Sequence, residues 1–228
     1  MGSTDVVVKI SGKLLSMPNP RYLAKLKNSI IEVEDRGYRL IIVVGGGAIA
    51  REYINVARAL GVRESLLDII GIEGSRMNAV LLAALLYPKS SIQIPRSIEE
   101  VLDKYSRGLI PVVGGFQPGQ STNAVACAIA DAIGAGLIVN MLSDIDGVYS
   151  ATPGDESAVK LDRLSYDDME KLIYKYSQSA GGYSLFDKVA LGIIRRAKIP
   201  VVFIDGRDPS LLLKAVEDPG SVGSLMTA

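Results

Sequence analysis

The chain of 228 residues contains no histidine and a single cysteine, Cys127. The first absence removes the commonest general base and the commonest zinc ligand. Together they exclude a Cys/His nucleophilic pair, and a lone cysteine excludes a disulfide scaffold and suits a reducing compartment. Excess charge of either sign is missing too, since 25 Lys plus Arg face 25 Asp plus Glu. That balance argues against a polyanion-binding or membrane-surface protein, so neither nucleic acid nor membrane is expected as a partner. No N-terminal stretch has the charged-then-apolar form of a signal peptide, and no apolar run looks long enough to span a bilayer. A soluble, cytoplasmic protein is the expectation. What remains for chemistry is lysine, arginine, carboxylates, hydroxyls, backbone amides and a magnesium ion. That inventory suits phosphoryl transfer, in which positioning and charge stabilisation do most of the catalysis.

Against those absences stand 23 glycines and a hydrophobic content of 48%, with a mean hydropathy of +0.27. A chain of this length and composition can bury a substantial core in one large domain or two small ones. The glycines gather where apolar runs end. In LIIVVGGGAIAR, residues 40–51, a β-type run empties into three glycines and a helical segment follows. Without Cβ atoms that backbone can turn tightly and lie against a flat anion, and the helix start favours negative charge. A second loop of this kind is VVGGFQPGQST, residues 112–122, where Gly114, Gly115 and Gly119 supply freedom and Ser121 and Thr122 supply hydroxyls. The third is KISGK, in which Lys9 and Lys13 bracket Ser11 and Gly12. Extended, the two lysines would stand about 13 Å apart, but a turn at Gly12 can aim both at one phosphate chain. Solvated lysines at a strand end would explain KISGK alone. Lys9, however, lies inside the apolar run VVVKI, where an unpaired ammonium is costly.

Apolar runs alternate with helical patterns along the chain. Strands are expected at 6–10, 38–44, 91–94, 109–113, 137–141 and 201–204. Helices are expected from Asn19-Pro20 to near Gly37, and at 48–60, 97–106, 122–133, 167–176, 186–198 and 210–216. Residues 65–86 read as mostly helical with an interruption around Gly71 to Gly74, and Ser97 with Glu100 reads as a capping box. Asp146-Gly147 before Val148-Tyr149 suggests a turn into an edge strand or hairpin. Strands apolar on both faces imply a parallel sheet covered on both sides, an α/β three-layer sandwich. In such a sheet the crevice lies beyond the carboxyl ends of the strands, so the three glycine loops should meet there. Neither G-x-G-x-x-G nor G-x-x-x-x-G-K-[ST] occurs, which argues against a Rossmann dinucleotide site and a P-loop.

KISGK, VVGGGAIAR, DIIGIEGSRMNA, GGFQPGQSTNAVA and NMLSDIDGVYSATP, in this order and spacing, resemble the amino acid kinase family and, within it, the archaeal-type uridylate kinases. The likeness runs from Lys9 to about Asp205. It implies the amino acid kinase-like fold with a mainly parallel central sheet, as one domain over 1–228. An acceptor-binding lobe would span about 1–140 and an ATP-binding lobe about 141–228. The implied reaction is transfer of the γ-phosphoryl group of ATP to UMP, giving UDP and ADP with Mg2+. Carried over, Lys9 would stabilise charge on the transferring group, with Lys13, Asp187 and Asn123 completing the catalytic set. Ser11, Gly12, Lys13 and Gly47 would hold the triphosphate, Gly46 would bind acceptor phosphate through its backbone, and Arg51 would lie between donor and acceptor. Asp68 would accept hydrogen bonds from the UMP ribose. Phe116, Gln117, Pro118, Gly119, Gln120, Ser121 and Thr122 would wrap the uracil and the UMP phosphate. Ser143, Asp144, Tyr149 and Thr152 would form the ATP-side segment, with Tyr149 near the adenine. No residue is implied as a dedicated metal ligand.

Two positions depart from the family pattern. Asn123 stands where aspartate is usual, so either Lys9 and Lys13 are balanced by Asp187 or by the metal site, or the chain is impaired. Thr152-Pro153 stands in place of Asp-Pro. The missing histidine disfavours isopentenyl phosphate kinases on this scaffold, and GGFQPGQST suits a nucleotide better than the amino acid of acetylglutamate or aspartate kinases. A kinase of another small acid or phosphate, or a non-catalytic nucleotide-binding regulator, are the alternatives. Family members form dimers and hexamers. The apolar segments 19–33 and 78–86 accordingly suggest a homohexamer built as a trimer of dimers.

Overall fold

The computed structural model describes residues 4–16, 19–177 and 185–228. Strand β1 (Asp5–Ile10) is followed by a single turn, α1 (Lys13–Ser16), and by α2 (Pro20–Asp35). Asn19 caps α2 by accepting from the Arg21 N–H at 2.9 Å, with Pro20 in the first turn as expected from its fixed φ. β2 (Arg39–Val44) then pairs in parallel with β1, Lys9 opposite Val43. Helices α3 (Gly47–Ala59), α4 (Glu64–Leu86) and α5 (Ile98–Ser106) lead to the two-residue β3 (Val112–Val113) on the outer side of β2. Helix α6 (Thr122–Ile133) returns the chain to β4 (Leu137–Leu142), on the opposite flank of β1.

The rest of the chain extends the sheet. A hairpin of β5 (Val148–Tyr149) and β6 (Lys160–Leu161) stands apart as a two-stranded sheet. Then come β7 (Arg163–Ser165), α7 (Tyr166–Ser177), α8 (Lys188–Ala197), β8 (Val201–Asp205), α9 (Leu211–Glu217), a 3-10 turn at Pro219–Ser221 and β9 (Ser224–Thr227). The main sheet runs β3-β2-β1-β4-β8-β9-β7, parallel except where β9 meets β8. Alternate residues of β1 feed two cores. Val6, Val8 and Ile10 pack with α2, α4 and α9, while Val7 packs with α6 and α8. The expected three-layer α/β sandwich is thereby observed. Chain order reverses at β1, whose neighbours are β2 and β4, so the crevice of this fold opens beyond the carboxyl end of β1.

Several expectations need correction. Helix α4 is continuous for 23 residues, with no break at Gly71 to Gly74. Each glycine costs a helix about 1 kcal/mol. Burial of Leu67, Ile72, Leu82 and Leu86 contributes about 2 kcal/mol apiece and outweighs it. The glycines instead let α3 come close: a Cβ on Gly74 would lie 2.7 Å from the Ala50 methyl. That continuity also makes α4, among the described residues, one helix long and apolar enough to cross a membrane. Here one of its faces, with Ala79, Leu82, Ala83 and Leu86, lies in the domain core. Residues 91–94 form no strand, because the Ser91 hydroxyl takes the Gln93 N–H. The strand expected over 109–113 shrinks to two residues after Pro111, which has no N–H to give. In the capping box Ser97 accepts from the Glu100 N–H, but Glu100 reaches the Arg96 N–H, one residue early. The segments 19–33 and 78–86 turn their leucines and isoleucines largely inward. Among the large exposed apolar side chains are Tyr53 and Val56 of α3, Leu60 just past its end, and Ile69, Met77 and Val80 of α4, of which only Val80 falls in those segments.

Candidate active site

The three glycine loops do meet. A Cβ on Gly12 would lie 2.3 Å from both the Gly45 carbonyl oxygen and the Gly47 nitrogen, so the loops after β1 and β2 touch backbone to backbone. Gly45 donates to the Ile10 carbonyl at 3.1 Å, and Ser11 donates to the Met141 carbonyl at 3.0 Å, tying in β4. Gly47 has φ +68°, a left-handed turn that favours glycine, and α3 starts there without a side-chain cap. The start of α6 closes the group, with the Thr122 hydroxyl 3.6 Å from where a Gly45 Cβ would be.

Helix α4 fastens these loops from behind through Asn78 and Ser75, which the sequence did not single out, and through Asp68, which it did. Buried Asn78 donates to the Gly45 carbonyl at 2.8 Å and the Gly46 carbonyl at 3.3 Å. Buried Ser75 accepts from the Gly115 N–H at 2.7 Å while donating to the Ile72 carbonyl. Asp68, two turns earlier, accepts from the Gly119 N–H at 2.9 Å. The available signal was Asp68, Ser75 and Asn78 spaced along one stripe of an otherwise apolar helix.

Lysines mark two depths of the crevice. Lys13 lies at the rim, 2.7 Å from Asp144, whose carboxyl is held below its usual range mainly by that hydrogen bond. Ser143 bonds both Asp144, at 2.9 Å, and Ser11, at 3.1 Å, so the ATP-side segment joins KISGK. Arg51, exposed on α3, adds to the positive field at Asp144. Lys9 is partly buried below them, and desolvation of its ammonium draws the pKa down to about 8 against the opposing attraction of Asp187. Asp187 caps α8 through the Ala190 N–H at 2.9 Å and receives the Ser121 hydroxyl, which in turn caps α6. Asp187 thus opposes the desolvation of Lys9 without offsetting it, whereas Lys13 is directly paired with Asp144. Asn123 donates to the Leu185 carbonyl at 3.2 Å and accepts from Asn140 at 3.4 Å.

The remaining expected residues lie on the loop before α6 and on the β5–β6 hairpin. Phe116 is half-buried against the core, and Gln117, Pro118, Gly119 and Gln120 form an open turn above Asp68. Tyr149 donates to Asp146 at 2.8 Å within the β5–β6 hairpin, where Lys160 also binds Asp146. Thr152 is exposed on the following turn, and no described contact joins it to the lysine loops. Beside the crevice, α3 and α4 border an apolar groove of about 840 Å3 lined by Tyr53, Ile69, Met77, Val80 and Arg96.

Comparison with known proteins agrees with this geometry. The family model described as the amino acid kinase family matches residues 5–205. A uridylate kinase of Aeropyrum pernix is 49% identical over 223 residues, 97% of this chain and 98% of that protein. One from Hyperthermus butylicus is 46% identical over the full length of both. The crystal structure of uridylate kinase from Archaeoglobus fulgidus superposes with a TM-score of 0.87 at 35% identity, covering both chains completely. A UMP kinase structure from Bacillus anthracis shares the fold, with a TM-score of 0.80 at 22% identity. On sequence, fold and the arrangement of its glycine loops, the chain belongs to the amino acid kinase family.

Proposed function

We propose that this chain is a UMP kinase, transferring the γ-phosphoryl group of ATP to UMP to give UDP and ADP. The observation that carries this reading is the junction of three glycine loops around Lys9 and Lys13 at the carboxyl end of β1. Backbone amides and a helix start there suit phosphate oxygens, and two ammonium groups at different depths suit a triphosphate and the group in flight.

On the acceptor side, Asp68 would exchange its loop N–H for ribose hydroxyls while residues 116–122 close over uracil and phosphate. Gly46 and Gly47 would present amides to phosphates, and Arg51 would screen donor from acceptor charge. On the donor side, Ser11, Gly12, Lys13, Ser143 and Asp144 would hold the triphosphate, with Tyr149 and Thr152 near the nucleoside. Lys9 would stabilise negative charge developing on the transferring group, kept charged by Asp187. An acceptor lobe over about 1–140 and an ATP lobe over about 141–228 would share the work, with Ser11, Gly12 and Lys13 of the first reaching the triphosphate held by the second. Mg2+ would enter on the triphosphate, and the exposed carboxylate of Asp144 beside the donor loop is chemically suited to it. Bound there, the ion would neutralise phosphate charge.

The broad apolar face of α3 and α4 suits self-association, the first step to a homohexamer built as a trimer of dimers in the cytoplasm. A coupled assay for ADP with UMP as acceptor tests the reading. UMP-dependent ADP formation, with UDP as product, is the expected result, and ATP turnover without UMP dependence would refute it.

A further inference from the structure

A row of four residues crosses the sheet under α6 and α8. Strand register places Val43 beside Lys9, Lys9 beside Asn140 and Asn140 beside Phe203. In a parallel sheet such neighbours project to the same face, about 4.8 Å apart. Val43 and Phe203 belong to the apolar core on that face, as do Ile138 and Leu142, the same-face neighbours of Asn140 along β4. The polar side chain flanking Lys9 within the row is therefore Asn140, which is 1% exposed.

An amide at such a site is costly unless both of its ends are used. The orientation of Asn140 is set from outside the strand. The Leu185 carbonyl can only accept, so Asn123 turns its NH2 toward it. The Asn123 oxygen then faces Asn140, which must turn its own NH2 that way. What remains is Asn140 Oδ1, buried and without a hydrogen-bond partner among the described residues. An unsatisfied acceptor is thus fixed in place next to a lysine whose ammonium is also short of solvent. An apolar residue there would pack without this penalty.

We propose that Asn140 is a positioning residue for Lys9: its side-chain oxygen, fixed by the amide chain from Leu185 through Asn123 and without a partner among the described residues, takes a hydrogen bond from the Lys9 ammonium when substrates bind and aims it at the transferring phosphoryl group. A neutral amide pair thereby does in this chain what a charged residue at position 123 would do, with Asp187 left to supply the negative charge. The inference rests on the UMP kinase reading and on Lys9 as the charge-stabilising residue.

The test compares wild type, Asn140→Leu and Asn140→Asp in steady-state assays with ATP and UMP, alongside thermal melts. Leucine has the shape of asparagine without its polar atoms, and aspartate keeps the oxygen. For Asn140→Leu, kcat is expected to fall at least fivefold with both KM values within threefold of wild type and a melting temperature equal or higher. Asn140→Asp is expected to hold kcat at least fivefold above Asn140→Leu. A smaller loss in the leucine variant, a loss confined to KM, or equal losses in both variants would overturn the proposal while the wild type still makes UDP. A wild type that makes no UDP would overturn the kinase reading itself, and this inference with it.

Discussion

Lys9 carries a charge that its surroundings disfavour, with a pKa drawn down to about 8. Its replacement by methionine is expected to lower kcat about 100- to 1000-fold, the range for removing one preorganised charge stabiliser, with KM for UMP little changed. Equal losses in UMP affinity and kcat would mean that Lys9 only binds substrate. The pH profile follows from the same site. Values of kcat/KM report the free enzyme, so they are expected to decline above about pH 8 as the ammonium loses its proton. Bound phosphates favour the ammonium, so the decline in kcat belongs at higher pH, and coincident limbs would refute Lys9 as the titrating group. At Asp68, the Gly119 N–H occupies the carboxylate that would receive ribose hydroxyls. Asp68→Asn is expected to raise KM for UMP about tenfold, or 1.4 kcal/mol, and KM for ATP much less. An ATP-selective effect would place Asp68 elsewhere. Lys9 could be singled out in the sequence because it interrupts VVVKI. Asn140 could not, since its importance arises from a neighbour 131 positions away in the chain, set beside it by strand pairing.

At the scale of elements, the loops after β1 and β2 share one small space, and Gly12 is where they touch. Gly12→Ala would force a Cβ to within 2.3 Å of two backbone atoms, which no rotamer change can relieve. It is expected to lower the melting temperature and to reduce kcat/KM about 100-fold, as a 1 Å misplacement of phosphate ligands does. A variant with wild-type kinetics would show that the loops can separate freely. The elements that carry these loops were legible because long apolar runs and caps such as Asn19 act locally. The two- to four-residue strands β6, β7 and β9 were not. Too short to show a period, they owe their conformation to pairing, β9 with β8 and β7 with β9. The unbroken α4 escaped for the opposite reason. Local propensity of Gly71 and Gly74 argued for a break that core burial overrode.

For the whole molecule, the buried ammonium trades stability for function. Below pH 8 Lys9 is protonated in the folded and unfolded states alike, and burying that charge weakens the fold. Between pH 8 and 10.5 the native state gives up its proton first, so this contribution to stability rises with pH. Tyr22, Tyr105 and Cys127, all shifted upward mainly by burial, act in the opposite sense at high pH. The comparison must therefore be made between wild type and Lys9→Met. The methionine variant is expected to be the more stable at pH 7, by a margin that narrows as pH rises from 8 to 10.5. A margin independent of pH would contradict the desolvated ammonium. Assembly belongs to this scale too. Met77 and Val80 stand exposed on α4 beside Tyr53 of α3. A double change, Met77→Glu with Val80→Glu, is expected to convert an oligomer into a 24.3 kDa species in sedimentation without unfolding it. A wild type already monomeric at micromolar concentration would refute self-association through this face.

The sequence by itself determined that histidine chemistry and an intrachain disulfide are excluded, that a parallel sheet lies between two helical layers, and that glycine loops end three of its strands. Composition, apolar periodicity and the Cβ-free backbone are properties of short segments and need no knowledge of the rest. Only the tertiary structure decided that Asp187 is the carboxylate acting on Lys9, that Asp144 pairs with Lys13, and that Asn78 and Ser75 hold the glycine loops. It also decided that the exposed apolar face lies on α3 and α4, with Val80 its one large apolar residue from the segment 78–86 and none from 19–33. Each of these depends on which residues the sheet order and helix packing bring within a few ångströms. Such proximity, like the burial that shifts a pKa or strands an amide oxygen, belongs to the folded chain and is absent from any local stretch of it.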